Sequence, residues 1–75
     1  MTAVDVAFRY GNAPGPSEMR ALDSVRDVYG IRRIMFNEKE RTIRVEYDAT
    51  RFNEDVVARL LREAGIDLRE RLTLA

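Results

Sequence analysis

The sequence predicts an α+β fold with the element order β-α-β-β-α-β. Three observations lead to this prediction. Four segments alternate apolar and polar residues with the period of two that is typical of strands. Two segments repeat apolar residues every three or four positions, as an amphipathic helix does. The 75 residues suffice for one small hydrophobic core but not for two, which indicates a single domain over residues 3–74.

The first strand and the first helix are separated by a loop rich in glycine and proline. Residues 4–10 alternate apolar side chains with others that are mostly polar, which predicts a half-buried strand. Two prolines and two glycines among residues 11–16 exclude a regular element there. We expect Ser17 to cap the helix that follows and Gly30 to end it, which places this helix at residues 17–29.

The middle of the chain predicts an antiparallel hairpin, and a second helix follows it. Two short apolar-polar segments, residues 31–36 and 42–47, are joined by the polar residues 37–41. Asn53 is the expected cap of the second helix, and Gly65 is the residue that ends it.

The apolar residues of the last segment share one parity, and this pattern predicts a strand with one buried face. These residues are Ile66, Leu68, Leu72 and Leu74.

Right-handed crossovers then place both helices on one face of a four-stranded antiparallel sheet, which is a ferredoxin-like sandwich. The second and fourth strands lie at its edges. Alternation leaves these residues on the open face: Asp5, Ala7, Arg9, Arg33, Met35, Arg44 and Glu46.

The composition excludes several classes of function. The chain has 13 Lys and Arg residues against 13 Asp and Glu residues, and it has no Cys or His. Disulfides, thiolate or imidazole metal sites and Cys- or His-based catalysis are therefore excluded. No nucleophile–base pair is apparent either, so we expect neither an enzyme nor a bound cofactor. The zero net charge argues against binding to nucleic acids or anionic membranes.

Two further patterns bear on partners and location. An RNA-recognition domain of this topology would present aromatic rings on its open face, where bases can stack. Here the strand aromatics all have the inward parity: Phe8, Tyr10, Phe36 and Tyr47. No apolar run approaches the roughly 20 residues that cross a membrane, and residues 1–5 lack the pattern of a signal peptide. We therefore expect a cytoplasmic protein.

Three pieces of the sequence carry a resemblance to a known family. They are Gly30-Ile31-x-x-Ile34-x-Phe36, Ile43-x-Val45-x-Tyr47-Asp48 and the terminal Ala64-Gly65 of the second helix. Their spacing resembles the Gly-Val-x-x-Val-x-Val, Val-x-Val-x-Tyr-Asp and terminal-glycine pattern of heavy-metal-associated (HMA) domains. Small copper chaperones and the N-terminal modules of metal-pumping ATPases have this fold. The resemblance covers nearly the whole chain and implies the transport of heavy metals.

The first loop departs from the metal motif of that family. HMA domains carry Gly-Met-x-Cys-x-x-Cys there, and the two thiolates hold a soft ion such as Cu(I). In this chain Gly11 falls on the glycine, Asn12 on the methionine, Pro14 on the first cysteine and Ser17 on the second. Proline has no ligand atom, and a serine hydroxyl is a poor ligand for a soft ion. We therefore expect that thiolate metal binding has been lost.

Other ligands for the first loop receive little support. Asn12, Ser17 and Glu18 supply only one carboxylate, which is too few for a calcium site. We expect Met19 in the core and Met35 on the opposite face of the sheet, so their thioethers do not converge on an ion.

The leading hypothesis is a non-catalytic HMA-like module that binds a protein partner or a second copy. The candidate residues are Gly11, Asn12 and Ser17 in the first loop and Arg9, Met35 and Arg44 on the open face. A metal carrier is the alternative that the resemblance implies. A small-ligand-binding domain similar to ACT domains is a weaker alternative, suggested by Pro14-Gly15 in the first loop.

Overall fold

The computed structural model describes residues 2–73. Within these residues it contains four strands and two helices: β1 (Ala3–Tyr10), α1 (Pro16–Arg26), β2 (Ile31–Asn37), β3 (Thr42–Asp48), α2 (Glu54–Glu63) and β4 (Leu68–Leu72). The strands form one antiparallel sheet in the order β2-β3-β1-β4. The predicted α+β, ferredoxin-like fold is thus confirmed, with β2 and β4 at the edges. Leu74, which we assigned to the last strand, lies outside the described residues.

The hydrophobic core lies between the two helices and the inward face of the sheet. Ile43 and Val45 on β3 are fully buried, and so are Leu22 on α1 and Leu61 on α2. The inward residues of β1 join the same cluster: Val6, Phe8 and Tyr10. The inward parities predicted for β1 and β3 are therefore confirmed.

A bulge in β2 brings two residues of opposite parity to the core. Ile31 lies opposite Tyr47, but Arg33 lies opposite Glu46, so β2 has one residue more than β3 over this interval. Ile31 and Ile34 are both buried as a result.

A second bulge corrects the prediction for the last strand. Leu68 pairs with Tyr10 and packs against the core, whereas Leu72 pairs with Ala7. The register shifts between Phe8 and Tyr10, and this shift reverses the parity of β4. Leu72 therefore lies on the open face of the sheet, and the prediction that it shares the buried face with Leu68 was wrong.

The start of α1 also differs from the prediction. The helix begins at Pro16, and its N-cap is Gly15, so Ser17 is not the cap. The carboxylate of Glu18 accepts a hydrogen bond of 2.7 Å from the backbone N–H of Gly15 and closes the first turn in its place. Proline at the first helical position favours this start, because it needs no backbone N–H there.

The remaining helix ends agree in part with the sequence. The α1 helix ends at Arg26, three residues before the predicted end, and residues 27–30 form turns that lead to β2. Asn53 caps α2 as predicted, since its Oδ1 accepts a hydrogen bond of 3.0 Å from the N–H of Val56.

Candidate functional site: the first loop and the open sheet face

The first loop, residues 11–15, is held in place by two distant parts of the chain. The backbone N–H of Asn12 donates to Asp67 Oδ2 at 2.9 Å, and the N–H of Gly11 donates to the carbonyl of Asp67 at 2.9 Å. Arg41 in the β2–β3 turn donates from Nη1 to the carbonyl of Gly11 at 3.0 Å. The loop is therefore anchored at its start from both sides.

Gly11 lies against two charged side chains at the start of the loop. A Cβ atom there would come too close to the carboxylate of Asp67 and the guanidinium of Arg69, which form an ion pair at 3.1 Å. Both groups are ends of flexible side chains, so a larger residue would displace them from the positions that they hold beside the loop. The glycine that matches the HMA pattern thus leaves room for this ion pair.

The two positions that match the family's cysteines have no soft donor. Pro14 is half-buried, and Ser17 is exposed with its Oγ donating to Glu18 Oε2 at 3.2 Å. Among residues 2–73, no group of three or more His, Cys, Asp or Glu side chains could hold a metal ion. Ser17 and Glu18 therefore shape the start of α1 and supply no thiolate chemistry.

A small cavity lies at the first loop, and we call it the first-loop cavity. Its volume is about 360 Å³. The lining is Tyr10, Ala13, Pro14, Met19 and Phe36, with Glu38 and Arg41 as its two charged residues. The rings of Tyr10 and Phe36 meet edge to face, with their centroids 5.8 Å apart. Met19, which we expected in the core, lines this cavity and is 39% exposed.

Arg41 combines an unusual backbone with an unusual set of partners. Its φ of 53° lies in the left-handed region, which residues other than glycine adopt uncommonly. Its guanidinium donates to the carbonyl of Gly11 and pairs with no carboxylate among residues 2–73. Arg41 could not be found from the sequence, because neither its backbone angle nor its contact with Gly11 has a local signal.

The open face of the sheet brings together the three candidate residues Arg9, Met35 and Arg44. Four residues lie side by side across the four strands, and we call them the middle row: Met35 on β2, Arg44 on β3, Ala7 on β1 and Leu72 on β4. Arg9 lies one row away on β1. Ala7 is 5% exposed even though it faces away from the helices, because the longer side chains around it cover it.

Ion pairs flank this middle row. Arg9 Nε lies 2.7 Å from Glu70 Oε1, and Arg44 Nε lies 3.8 Å from Asp5 Oδ2. The pKa of Glu70 is lowered, first by a hydrogen bond from its own backbone N–H and then by the bond from Arg9. Glu70 and Leu72 were missed as members of this face, because only the bulge in β4 places them there.

A cleft at the opposite end of the sheet was also missed. Tyr29 is 71% exposed, and the guanidinium of Arg51 lies 3.9 Å from the centre of its ring. Asp48 lines the same cleft, which has a volume of about 520 Å³. The helical pattern predicts Tyr29 at the end of α1, whereas the helix ends at Arg26, so no local pattern indicates this cleft.

Asp48 is a charged residue in a nearly buried position. Its Oδ1 accepts hydrogen bonds from the Thr50 hydroxyl at 2.7 Å and from the Thr50 backbone N–H at 3.0 Å. These two bonds, the hydroxyl first, hold the pKa of Asp48 below its usual value. The carboxylate therefore stays charged and stabilises the turn after β3.

Comparison with protein-family models, with curated proteins and with solved structures finds no significant match to this chain. The HMA assignment therefore stays a prediction from the spacing of sequence motifs. No helix among residues 2–73 is long and apolar enough to cross a membrane.

Proposed function

We propose that this chain is a non-catalytic HMA-like module without a thiolate metal site, and that it binds a protein partner through the open face of its sheet. The observation that carries the proposal is the middle row of that face. Met35, Ala7 and Leu72 are its apolar members, and Arg44 lies between Met35 and Ala7. Arg44 forms an ion pair with Asp5 on one side of the row, and Arg9 pairs with Glu70 on the other. An apolar centre with a polar rim is the usual composition of a protein–protein interface.

The shape of the open face supports the same conclusion. Ala7 has a small side chain at the centre of the sheet, so a shallow depression of about 310 Å³ forms between Met35, Arg44 and Leu72. Such a depression suits one large apolar side chain from a partner, and residues buried at the centre of an interface contribute most of the binding free energy.

The charges on the open face favour a protein over nucleic acids or anionic membranes. The face carries four arginines and three carboxylates, which leave one positive charge in excess: Arg9, Arg32, Arg33 and Arg44 with Asp5, Glu46 and Glu70. Three of these arginines lie in ion pairs with the carboxylates. Proteins that bind nucleic acids or anionic membranes present several basic residues to the phosphates. A surface with interspersed charges instead gives orientation and specificity to a protein complex.

Charge reversal on the open face tests this proposal. A partner captured with the wild-type chain is measured against Arg44→Glu and Met35→Glu, and we expect its affinity to fall at least about tenfold in both. Arg59→Glu is the matched control, because Arg59 is exposed on α2 and has no ion pair among residues 2–73. Circular dichroism verifies that each variant is folded.

Sedimentation over a range of concentrations shows whether the partner is a second copy of the chain. Self-association that Met35→Glu abolishes and Arg59→Glu preserves supports the proposal, with the second copy as the partner. A captured partner that binds Arg44→Glu and Met35→Glu as tightly as the wild-type chain contradicts the proposal and places the interface elsewhere.

A further inference from the structure

The first-loop cavity has the size and lining of a site for a small ligand. Its volume of about 360 Å³ is at the lower end of the roughly 300–1,000 Å³ that is typical of such sites. The strand residues Tyr10 and Phe36, the helix residue Met19 and the loop residue Pro14 together give it an apolar wall. The N–H of Asn12 donates a hydrogen bond to Asp67, and Arg41 donates one to the carbonyl of Gly11, so the protein itself holds the start of the loop in place.

Arg41 gives this apolar wall one positioned cation. A guanidinium has five N–H donors, and the structure shows Nη1 donating to the carbonyl of Gly11. The arginines of the open face differ, because Arg9 and Arg44 lie beside carboxylates. Arg41 has no carboxylate partner among residues 2–73, so its remaining donors are available to an anion.

The backbone of Arg41 closes the turn between β2 and β3. Its φ of 53° is the left-handed conformation that commonly ends a hairpin turn. Its N–H donates to the carbonyl of Glu38 at 3.4 Å, and its carbonyl accepts a hydrogen bond of 2.9 Å from the N–H of Tyr10. The turn therefore fixes where the Arg41 side chain starts, next to the first-loop cavity.

Glu38 also lines the cavity, but it is not held there. Its side chain makes no hydrogen bond or ion pair with residues 2–73, and the residue is exposed. Arg41 is exposed as well, but its guanidinium is held by the carbonyl of Gly11. Of the two charged residues that line the cavity, Arg41 is therefore the one whose side chain has a protein partner to hold it in place.

We propose that the first-loop cavity binds a small apolar molecule that carries a carboxylate. The apolar part would pack against Tyr10, Met19 and Phe36, and the carboxylate would accept hydrogen bonds from the Arg41 guanidinium. Charge-assisted bonds of this kind are about twice as strong as neutral ones. This site lies at one end of the sheet, apart from the middle row of the open face, and it does not depend on a protein partner.

A pair of isosteric probes tests the proposal by amide NMR. The chain is titrated with 4-methylpentanoate and, separately, with the neutral 4-methylpentanamide. We expect saturable shifts at residues 10–19 and 36–41 with the acid, and an affinity at least about tenfold lower with the amide.

Two variants separate the role of the Arg41 side chain from a structural role. In Arg41→Gly the preference for the acid over the amide should disappear, so that the two affinities differ by less than about twofold, while glycine takes the left-handed conformation freely. This comparison does not depend on the hydrogen bond to the Gly11 carbonyl, which the variant also removes. Lys39→Ala removes the same charge from the same turn and should leave the affinity within about twofold. Ala13→Trp should block the cavity while Arg41 stays in place.

Several results would overturn the proposal. Equal affinities for the acid and the amide would show that the carboxylate is not recognised. A preference for the acid that persists in Arg41→Gly, or full affinity in Ala13→Trp, would place the site elsewhere, and so would shifts that cluster at Tyr29 and Asp48. The absence of any saturable shift with the acid would show that the cavity binds no ligand of this class.

Discussion

The two faces of the sheet differ most clearly on β3, where neighbouring residues point to opposite sides. Ile43 and Val45 face the helices and are completely buried, whereas the side chain of Arg44 between them is 46% exposed. The buried residues each contribute about 1.5–3 kcal/mol by leaving water. An exposed ion pair such as Arg44–Asp5 contributes about 0–1 kcal/mol. One face therefore stabilises the fold, and the other can be changed with little loss of stability.

The largest expected effect on stability comes from alanine substitution of two adjacent residues of β3 that face opposite sides of the sheet. Ile43→Ala should reduce the free energy of unfolding by about 2–5 kcal/mol, because it removes buried methyl groups and leaves a cavity. Arg44→Ala should change it by less than about 1 kcal/mol. Urea unfolding followed by circular dichroism measures both.

Ile43→Val is a milder substitution at the same site, and it is needed because a small domain can unfold completely when Ile43 is replaced by alanine. It should cost about 0.5–1.5 kcal/mol and keep the chain folded. Similar losses for Ile43→Ala and Arg44→Ala would show that the open face contributes to the core, and the division of roles between the faces would then be wrong.

A smaller effect tests the assignment of β4 residues to the two faces. Leu68 packs against the core, and Leu72 lies on the open face, although their parity is the same. Leu68→Ala should therefore cost about 2 kcal/mol, and Leu72→Ala should cost about half as much or less. The same unfolding measurement applies, and equal losses would contradict the bulge that separates the two residues.

The smallest effect concerns Asp48, a charged residue that is nearly buried at the end of β3. Its pKa is lowered, so it stabilises the fold above the ordinary carboxyl pKa, and this contribution is lost as the pH falls through its folded pKa. Thr50→Val removes the hydroxyl bond. We expect the variant to have a higher Asp48 pKa and to be less stable at neutral pH, with the difference disappearing in acid.

Carbon NMR of the Asp48 carboxyl group and unfolding at two pH values check this expectation. Thr42→Val is the control, because no hydrogen bond joins Thr42 to a carboxylate among residues 2–73. A stability difference between Thr50→Val and the wild-type chain that persists unchanged in acid would show that the hydroxyl acts independently of the charge on Asp48.

Most of the fold could be predicted from local patterns. The period of two on β1 and β3 predicted their buried faces, and Asn53 predicted the start of α2. The start of α1 was misplaced, because Ser17 is a good N-cap residue in general. Glu18 closes the turn onto Gly15 instead, and Pro16 favours the first helical position.

The candidate site was predictable only in part. Alternation placed Arg9, Met35 and Arg44 on one face, and the structure places them there. Alternation could not place Leu72, because a bulge changes parity without a signal in the sequence of β4. The position of the first loop was predicted from the spacing of the sequence motifs. The residues that hold it, Arg41 and Asp67, could not be predicted, because they lie far from the loop in the sequence.

The sequence by itself determined the order of elements, the buried parity of the central strands and the absence of thiolate ligands. These properties depend on composition or on neighbours a few positions apart. The tertiary structure decided how the first loop is held and what surrounds its cavity. Asn12 meets Asp67 across 55 positions, and Arg41 meets Gly11 across 30. Contacts at such separations arise only when strand register and bulges bring the segments together, and no local pattern specifies that register.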